Sequence, residues 1–434
     1  MTLATHAWIV GPPDGSYHRV TSHKESPVPL SRLLCSAMLL LSPLTWAAKR
    51  VDVDYLVRFL PSSDQAEVVL TVEDGKAFQG FEMDLGRRGG YSDFQGDGQW
   101  RQDDDRHGHW QPPAGKARLS YRVRISHPRG NQRFDARMTP DWVLLRGDDL
   151  VPVVDVRLAE RVELATRIAF ALPEGWKTVE TGWPRVGPNR FRVDDPEQVF
   201  DRPTGWILAG RLGSRRATLG NTEVTVSAPV GEGMRRMDVL TLLTFVWPQA
   251  QAVFPRDPEK LLIVGAGDPM WRGGLSASRS LFLHAGRPLV SENGTSTLLH
   301  ELVHVFSRIR DTEGSDWVSE GIAEYYAIEL MRRAGGMGED RYYRIRADLR
   351  RWSKGVKTLR GEHGTGATTA RAVLLLQDLD KEIRKRSNQR YSLDDLTRGL
   401  MRLDKVGTQD VTRLSEDLLG GPSEVLDTPL LKAD

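Results

Sequence analysis

Residues 295–306 constrain this chain more than any other stretch. They contain His300, Glu301 and His304 in the order H-E-x-x-H, within a run of Leu and Val residues. On a helix, residues four positions apart lie on one face, so both imidazoles can reach the same metal ion. Polar side chains within an apolar helix need partners, and a metal ion supplies them. The stretch therefore predicts a helix that packs into a core and presents two metal ligands.

A second stretch, residues 316–326, offers carboxylates that complete the site. Glu320 is the expected third ligand, and a fourth position then stays open for water, as in catalytic zinc sites. Glu324 lies one helical turn later and fits a supporting role, accepting the second ring N–H of a ligand histidine. The reverse assignment of Glu320 and Glu324 stays open, because spacing alone does not separate them.

The same residues suggest a chemistry. Glu301 follows the first ligand directly, so it can reach a water on the metal and act as a general base. A hydrolytic site also needs a donor for the oxyanion. The sequence does not choose among the candidate donors, which are Tyr325, Tyr326, Tyr342, Tyr343, His363 and Arg371.

Composition narrows the class of protein. With 434 residues the chain can form two or three domains. Its formal net charge is only +2, and Lys and Arg are spread along it, which argues against nucleic acid as a partner. Cys35 is the only cysteine, so disulfides are excluded and a metal must be held by His and carboxylates.

The N-terminus has the layout of a secretory signal. Arg32 precedes an apolar run over residues 33–47, and the small residues Ala47 and Ala48 follow it. Such a run is too short for a membrane span, so we expect cleavage near Ala47 and export to the periplasm or medium. No transmembrane span is expected in the mature chain. The preceding segment does not resemble a signal, which favours initiation near Val28; a disordered extension is the alternative.

The pattern along the chain predicts an α+β fold. Residues 1–48 form the extension and signal, and residues 49–215 alternate like the strands of an antiparallel β-sandwich. Residues 216–312 predict an α/β part, with a helix that ends at Pro248 and the metal-binding helix near 295–309. Residues 313–434 predict a helical part of the same catalytic domain.

A family resemblance appears at these motifs. Residues 300–304, together with W-V-S-E-G-I-A-E-Y-Y at 317–326, resemble the gluzincin zinc metallopeptidases and, more closely, the glycyl aminopeptidase family. Residues 273–275 resemble that family's G-G-L-E-H segment, and residues 370–380 resemble a later helix. The resemblance implies a thermolysin-like catalytic domain (a small mixed sheet, the zinc helix and a helical subdomain). It also implies zinc held by His300, His304 and Glu320, with Glu301 as the base.

Three departures from the family pattern qualify that implication. Ser276 replaces the acidic residue that holds a substrate's free amine, residues 366–369 replace a tyrosine expected to serve the oxyanion, and no PDZ domain is expected. The first hypothesis is therefore an exported zinc metallopeptidase with its cleavage mode open. The alternative is a catalytically impaired homologue that keeps zinc and binds peptides or proteins.

The expected partner in both cases is a peptide or protein, and the sequence gives no oligomeric state. We expect a cleft between the zinc helix and a strand at residues 280–284, which would pair with an extended substrate. The residues predicted along that cleft are Gly274, Ser276, Ser280 and Phe282.

Overall fold

The computed structural model describes residues 48–86, 90–130, 132–196, 198–256, 258–361 and 366–432. The predicted signal with its cleavage point near Ala47, the lone Cys35 and the candidate donor His363 lie outside these residues. No helix in the described ranges has the length and apolar character needed to cross a membrane.

The first part of the described chain is built from strands, as the alternating pattern predicts. Strand β1, for example, buries every second side chain from Val51 to Phe59. The strands are β1 Lys49–Leu60, β2 Gln65–Val72, β3 Phe78–Asp84, β4 Tyr91–Gly96, β5 Gln99–Gln102, β6 His107–Gln111, β7 Ala117–Arg124, β8 His127–Arg129, β9 Arg133–Met138, β10 Trp142–Arg146, β11 Val153–Leu158, β12 Val162–Ala171, β13 Thr178–Thr181, β14 Arg185–Gly187, β15 Arg190–Val193 and β16 Trp206–Gly210.

These strands form three sheets around one apolar core, where two sheets were expected. Their orders are β14-β15-β12-β1-β2-β7-β4, β13-β16-β10-β9-β8 and β11-β3-β6-β5. The prediction of an antiparallel sandwich is wrong at one ladder, because β1 and β12 run parallel. Alternation tells which face of a strand is buried but carries no information about the direction of its neighbour.

A smaller mixed sheet follows, as expected for the second part. Its strands are β17 Leu212–Leu219, β18 Thr222–Pro229, β19 Lys260–Val264, β20 Gly274–Ala277 and β21 Ser280–Leu283. The order is β17-β18-β19-β21-β20, with β18, β19 and β21 parallel and the two outer strands antiparallel. The domain boundary placed after residue 215 falls inside β17.

Seven helices lie within the described residues. They are α1 Arg236–Val253, α2 Thr297–Ser307, α3 Trp317–Arg333, α4 Glu339–Trp352, α5 Gly366–Arg386, α6 Leu393–Leu400 and α7 Thr408–Leu419. The predicted end of α1 at Pro248 is wrong, because the helix continues to Val253. Ala250 and Val253 of its last turn are buried, and this burial offsets the hydrogen bond that proline cannot donate.

Helices α2 and α3 are fixed by packing on both sides. The side chains of Leu298, Leu302 and Phe306 on α2 join the core under the mixed sheet. Helix α3 approaches α5 closely, since a Cβ at Gly321 would lie 2.9 Å from the Cβ of Ala372. The two helices that carry the predicted ligands are therefore held in a rigid frame.

Candidate metal and active site

The metal-binding helix α2 starts where its sequence predicts. Ser296 caps it, with its side chain accepting a 3.3 Å hydrogen bond from the N–H of Leu299. The helix ends at Arg308, which adopts a left-handed conformation with φ of 50°. His300 and His304 lie away from the apolar side, and their side chains keep 16% and 17% of their exposure. Both rings are thus partly open to solvent.

The three predicted ligands converge on one point. The Nε2 atoms of His300 and His304 are 3.2 Å apart. Glu320, on the first turn of α3, places one carboxylate oxygen 3.4 Å from the Nε2 of His300 and the other 3.3 Å from the Nε2 of His304. Within the described residues, this is the one group of three or more such side chains whose donor atoms cluster this way.

The arrangement fits zinc. Bonds of about 2.0–2.1 Å in a tetrahedron place neighbouring donors about 3.3–3.4 Å apart, close to the 3.2 Å between the two ring nitrogens and to the distance from each ring to its nearer oxygen of Glu320. The donor set of two imidazoles and one carboxylate is also one that catalytic zinc sites use. The fourth vertex carries no protein ligand among the described residues.

Glu324 lies where a supporting carboxylate was expected. Its Oε2 is 3.0 Å from the Nδ1 of His300, so the ring donates its Nδ1 proton to Glu324 and directs its Nε2 toward the ligand cluster. Burial lowers the pKa of His300, but hydrogen bonds with Glu320 and Glu324 outweigh it and raise the pKa to about 10. Burial raises the pKa of Glu320, and the two histidines more than reverse this and hold it well below its usual range.

Glu301 is held by the neighbouring strand. Its Oε2 accepts a 2.8 Å hydrogen bond from the backbone N–H of Ser276 on β20. The close approach depends on Gly274, because a Cβ there would lie 2.6 Å from the Cγ of Glu301 and 2.7 Å from the Cγ2 of Thr297. Sequence reasoning missed this contact, since a backbone donor leaves no side-chain signal.

The prediction that the strand at residues 280–284, which is β21, pairs with substrate is wrong. Strand β21 is enclosed by β19 on one side and β20 on the other, so it has no free edge to offer a peptide. Ser280 and Phe282 are buried, with 0% and 1% exposure, and do not line a cleft. The edge strand is β20, where Gly274 and Ser276 contact Glu301 of α2.

The candidate oxyanion donors are scattered. Tyr325 and Tyr326 lie in the core; the hydroxyl of Tyr326 donates to Asp394 and also bonds Thr397, so both tyrosines are wrong as donors. The helical pattern could not distinguish an aromatic that faces the core from one that faces the cleft. Tyr342 and Tyr343 lie on α4, and Arg371 is half-buried on α5.

A further acidic group near the site was not anticipated. Asp311, in the turn between α2 and α3, accepts hydrogen bonds from the backbone N–H and the hydroxyl of Ser319. Burial raises the pKa of Asp311 from 3.8 to about 6, against the opposing effect of these hydrogen bonds. The two hydrogen bonds from Ser319 to Asp311 join the start of α3, which carries Glu320, to the turn that follows α2.

The solved structures compared below share this fold and are named as aminopeptidases or zinc metallopeptidases. An aminopeptidase N family protein from Idiomarina loihiensis matches with a TM-score of 0.64 at 13% identity, covering 88% of this chain and 74% of that one. An M1 zinc metallopeptidase from Deinococcus radiodurans, in a mutant bound to a Tyr-Ser-Ala substrate, matches with a TM-score of 0.58 at 16% identity, covering 89% and 94%. The unsubstituted Deinococcus enzyme gives a TM-score of 0.56 at 16% identity, covering 89% and 94%.

This chain has the fold of M1 zinc metallopeptidases. The likeness extends over both the β-rich part and the part with the H-E-x-x-H helix. Comparisons with protein-family models and with curated proteins gave no match.

Proposed function

We propose that the chain is a zinc-dependent metallopeptidase that hydrolyses peptide bonds in a peptide or protein. One observation carries the proposal. The Nε2 atoms of His300 and His304 are 3.2 Å apart, and each lies 3.3–3.4 Å from one of the two carboxylate oxygens of Glu320, so the three side chains can share a single zinc ion. The fold shared with M1 zinc metallopeptidases supports the same conclusion.

Each residue of the site then has a part in the reaction. Zinc, when bound, lowers the pKa of water and polarises a carbonyl. Glu301 takes the proton of the attacking water and passes it to the leaving amine. The N–H of Ser276 fixes the carboxylate of Glu301 in place, so that its geometry is preset before substrate binds. Glu324 keeps the ring of His300 in one tautomer.

The substrate would lie along β20. This strand forms the edge of the mixed sheet beside α2, and its outward backbone groups at Gly274 can pair with an extended peptide. Ser276 brings no charge for a free amine, so the proposal covers both exo- and endopeptidase cleavage. Mass spectrometry of the products from blocked and unblocked peptides separates the two modes.

A second candidate function is a peptidase homologue that keeps zinc but only binds peptides or proteins. The burial of Tyr325 and Tyr326 favours it, because these side chains cannot stabilise an oxyanion. Stoichiometric zinc with peptide binding but no cleavage, over a broad peptide library and several pH values, would select this alternative.

We also propose that the protein is a gluzincin of the glycyl aminopeptidase type and that it is exported. Arg32 and the apolar run that follows it support a secretory signal. Expression of the full chain in a bacterial host, followed by fractionation and mass measurement of the mature N-terminus, tests export. We expect a periplasmic or secreted product that begins near Ala48.

The direct test of the activity uses purified protein and quenched fluorescent peptides. We expect about one zinc per chain and cleavage that a chelator abolishes and added zinc restores. Glu301→Gln should keep the zinc and lose the cleavage. Full activity in this variant would refute the proposed role of Glu301, and absence of stoichiometric zinc in the wild-type protein would refute the metal site.

A further inference from the structure

Residues 339–361, which comprise α4 and the loop after it, carry an unusual share of positive charge. The segment contains eight basic and three acidic residues, a net charge of +5, whereas the whole chain has only +2. The other residues together are therefore slightly acidic. Such a concentration in 23 residues sets this segment apart electrostatically from the rest of the chain.

The helix places this charge on its outer side. Ile345 and Leu349 are buried in the core under α4. On the opposite side Ala347 is exposed, and exposed basic residues flank it over two turns. We call this surface the α4 basic face; its members are Tyr343, Arg344, Ala347, Arg350, Arg351 and Lys354.

Much of this charge is not neutralised by neighbours. Arg351 forms an ion pair with Asp348, and Arg346, at the edge of the helix, pairs with Asp378 on α5. Among the residues that the structure describes, Arg344, Arg350 and Lys354 form no side-chain ion pair or hydrogen bond. Arg344 and Arg350 on α4, and Lys354 just beyond its end, are thus free to bind an external anion.

An aromatic ring accompanies the cations. The side chain of Tyr343 is 62% exposed on the basic face, which is unusual for a residue of its size. A ring with one polar end suits the boundary between water and lipid, where tyrosine is enriched. Exposed basic residues on one face are attracted to the anionic headgroups of a lipid surface.

The face is also rigidly placed beside the metal-binding helix. Arg341 donates hydrogen bonds of 3.4 and 3.3 Å to the carbonyls of Ser291 and Glu292, in the loop that leads into α2. Ile345 packs against Gly294 in the same loop. A partner bound at the basic face therefore has a fixed position relative to the three-ligand site.

We propose that the α4 basic face docks the protein onto an anionic phospholipid surface. The face is a convex helix, which meets a layer of headgroups without needing a groove. Each basic residue near such a surface is attracted to it, and the attraction falls off within a Debye length. The low net charge of the whole chain favours lipid over nucleic acid, because nucleic-acid binding calls for a wider basic footprint.

The test is co-sedimentation of the full chain with vesicles. One set contains phosphatidylcholine alone and the other phosphatidylcholine with phosphatidylglycerol, each at low and high salt. We expect binding to the anionic vesicles at low salt, at least tenfold weaker binding at high salt, and none to phosphatidylcholine alone. The charge-reversed variant Arg344→Glu/Arg350→Glu/Arg351→Glu/Lys354→Glu should bind at least about 100-fold more weakly.

A matched variant controls for net charge. This variant reverses four exposed basic residues outside the α4 basic face, Arg118→Glu/Arg124→Glu/Lys177→Glu/Arg215→Glu. It changes the net charge by the same amount and should retain most of the binding. The corresponding alanine replacements on the α4 basic face, with their unfolding temperatures, separate lost binding from lost folding. Equal binding by the two charge-reversed variants, or equal binding to both vesicle types, would overturn the proposal. So would binding to an acidic polypeptide or to DNA with no vesicle binding.

Discussion

The backbone N–H of Ser276 and the carboxylate of Glu301 are joined by a 2.8 Å hydrogen bond. Ser276 lies on the edge strand of the mixed sheet, and Glu301 lies on the neighbouring helix between the two histidines proposed as metal ligands. The bond links the surface where a peptide can pair to the group proposed as the general base. It orients that base through the backbone, independently of the serine side chain.

The contact between Gly274 and Glu301 is open to a steric test. In Gly274→Ala the new methyl group would meet the side chains of Glu301 and Thr297 at 2.6 and 2.7 Å, so strand or helix must shift. We expect at least a tenfold loss of kcat/KM and about 1–3 kcal/mol lower unfolding free energy. Gly115→Ala, where a Cβ meets nothing within 4 Å, is the control and should leave both unchanged. Wild-type activity in Gly274→Ala would contradict the tight packing.

The second prediction concerns the support of His300 by Glu324. In Glu324→Gln the neutral amide no longer stabilises the ring that donates to it at 3.0 Å. We expect zinc affinity to fall about 10–100-fold, measured by competition with a chromogenic chelator. Glu313→Gln, an exposed glutamate in the adjacent turn, should bind zinc like the wild-type protein. Equal affinities in the two variants would show that Glu324 does not act through His300.

The third prediction separates a structural tyrosine from a catalytic one. The hydroxyl of Tyr326 donates to Asp394 at 2.9 Å and lies 3.1 Å from the hydroxyl of Thr397, all inside the core. Tyr326→Phe should lower the unfolding free energy by about 1–2 kcal/mol and leave kcat unchanged. A large fall in kcat without a change in stability would return this residue to the list of oxyanion donors.

The fourth prediction follows from the raised pKa of Asp311. Because the folded protein raises this pKa from 3.8 to about 6, the folded state binds a proton that the unfolded state has released between these pH values. The contribution of Asp311 to stability therefore falls as pH rises from 4 to 6. Asp311→Asn has no such group, so its unfolding free energy, measured in urea with zinc held constant, should lack this decline. Identical pH profiles for the two proteins would rule out the shift.

Sequence reasoning reached the parts of the site that depend on local geometry. His300, His304 and Glu320 belong to two helices whose period fixes the face of each side chain. Gly274 and Ser276 were expected along the cleft, but the strand at residues 280–284 was taken as the one that pairs with substrate, because only the sheet order shows that β20 has the free edge. Tyr326 was misjudged since its burial depends on α6, far away in sequence.

The larger architecture was likewise predictable only where it depends on residues that are close in sequence. Alternation identified the β-rich part and helical periodicity identified the α-rich part, because both follow from neighbours along the chain. The parallel pairing of β1 with β12 joins residues more than 100 positions apart and has no local signature. The continuation of α1 past Pro248 similarly depends on the core that covers its last turn.

The central claim is that His300, His304 and Glu320 hold a zinc ion at which Glu301 acts as base. The most direct measurement compares zinc content and peptide cleavage in the wild-type protein, Glu301→Gln and His304→Ala. We expect one zinc per chain and cleavage in the wild-type protein, one zinc without cleavage in Glu301→Gln, and neither in His304→Ala. Cleavage that persists in both variants, or a wild-type protein without zinc after purification in its presence, would contradict the account.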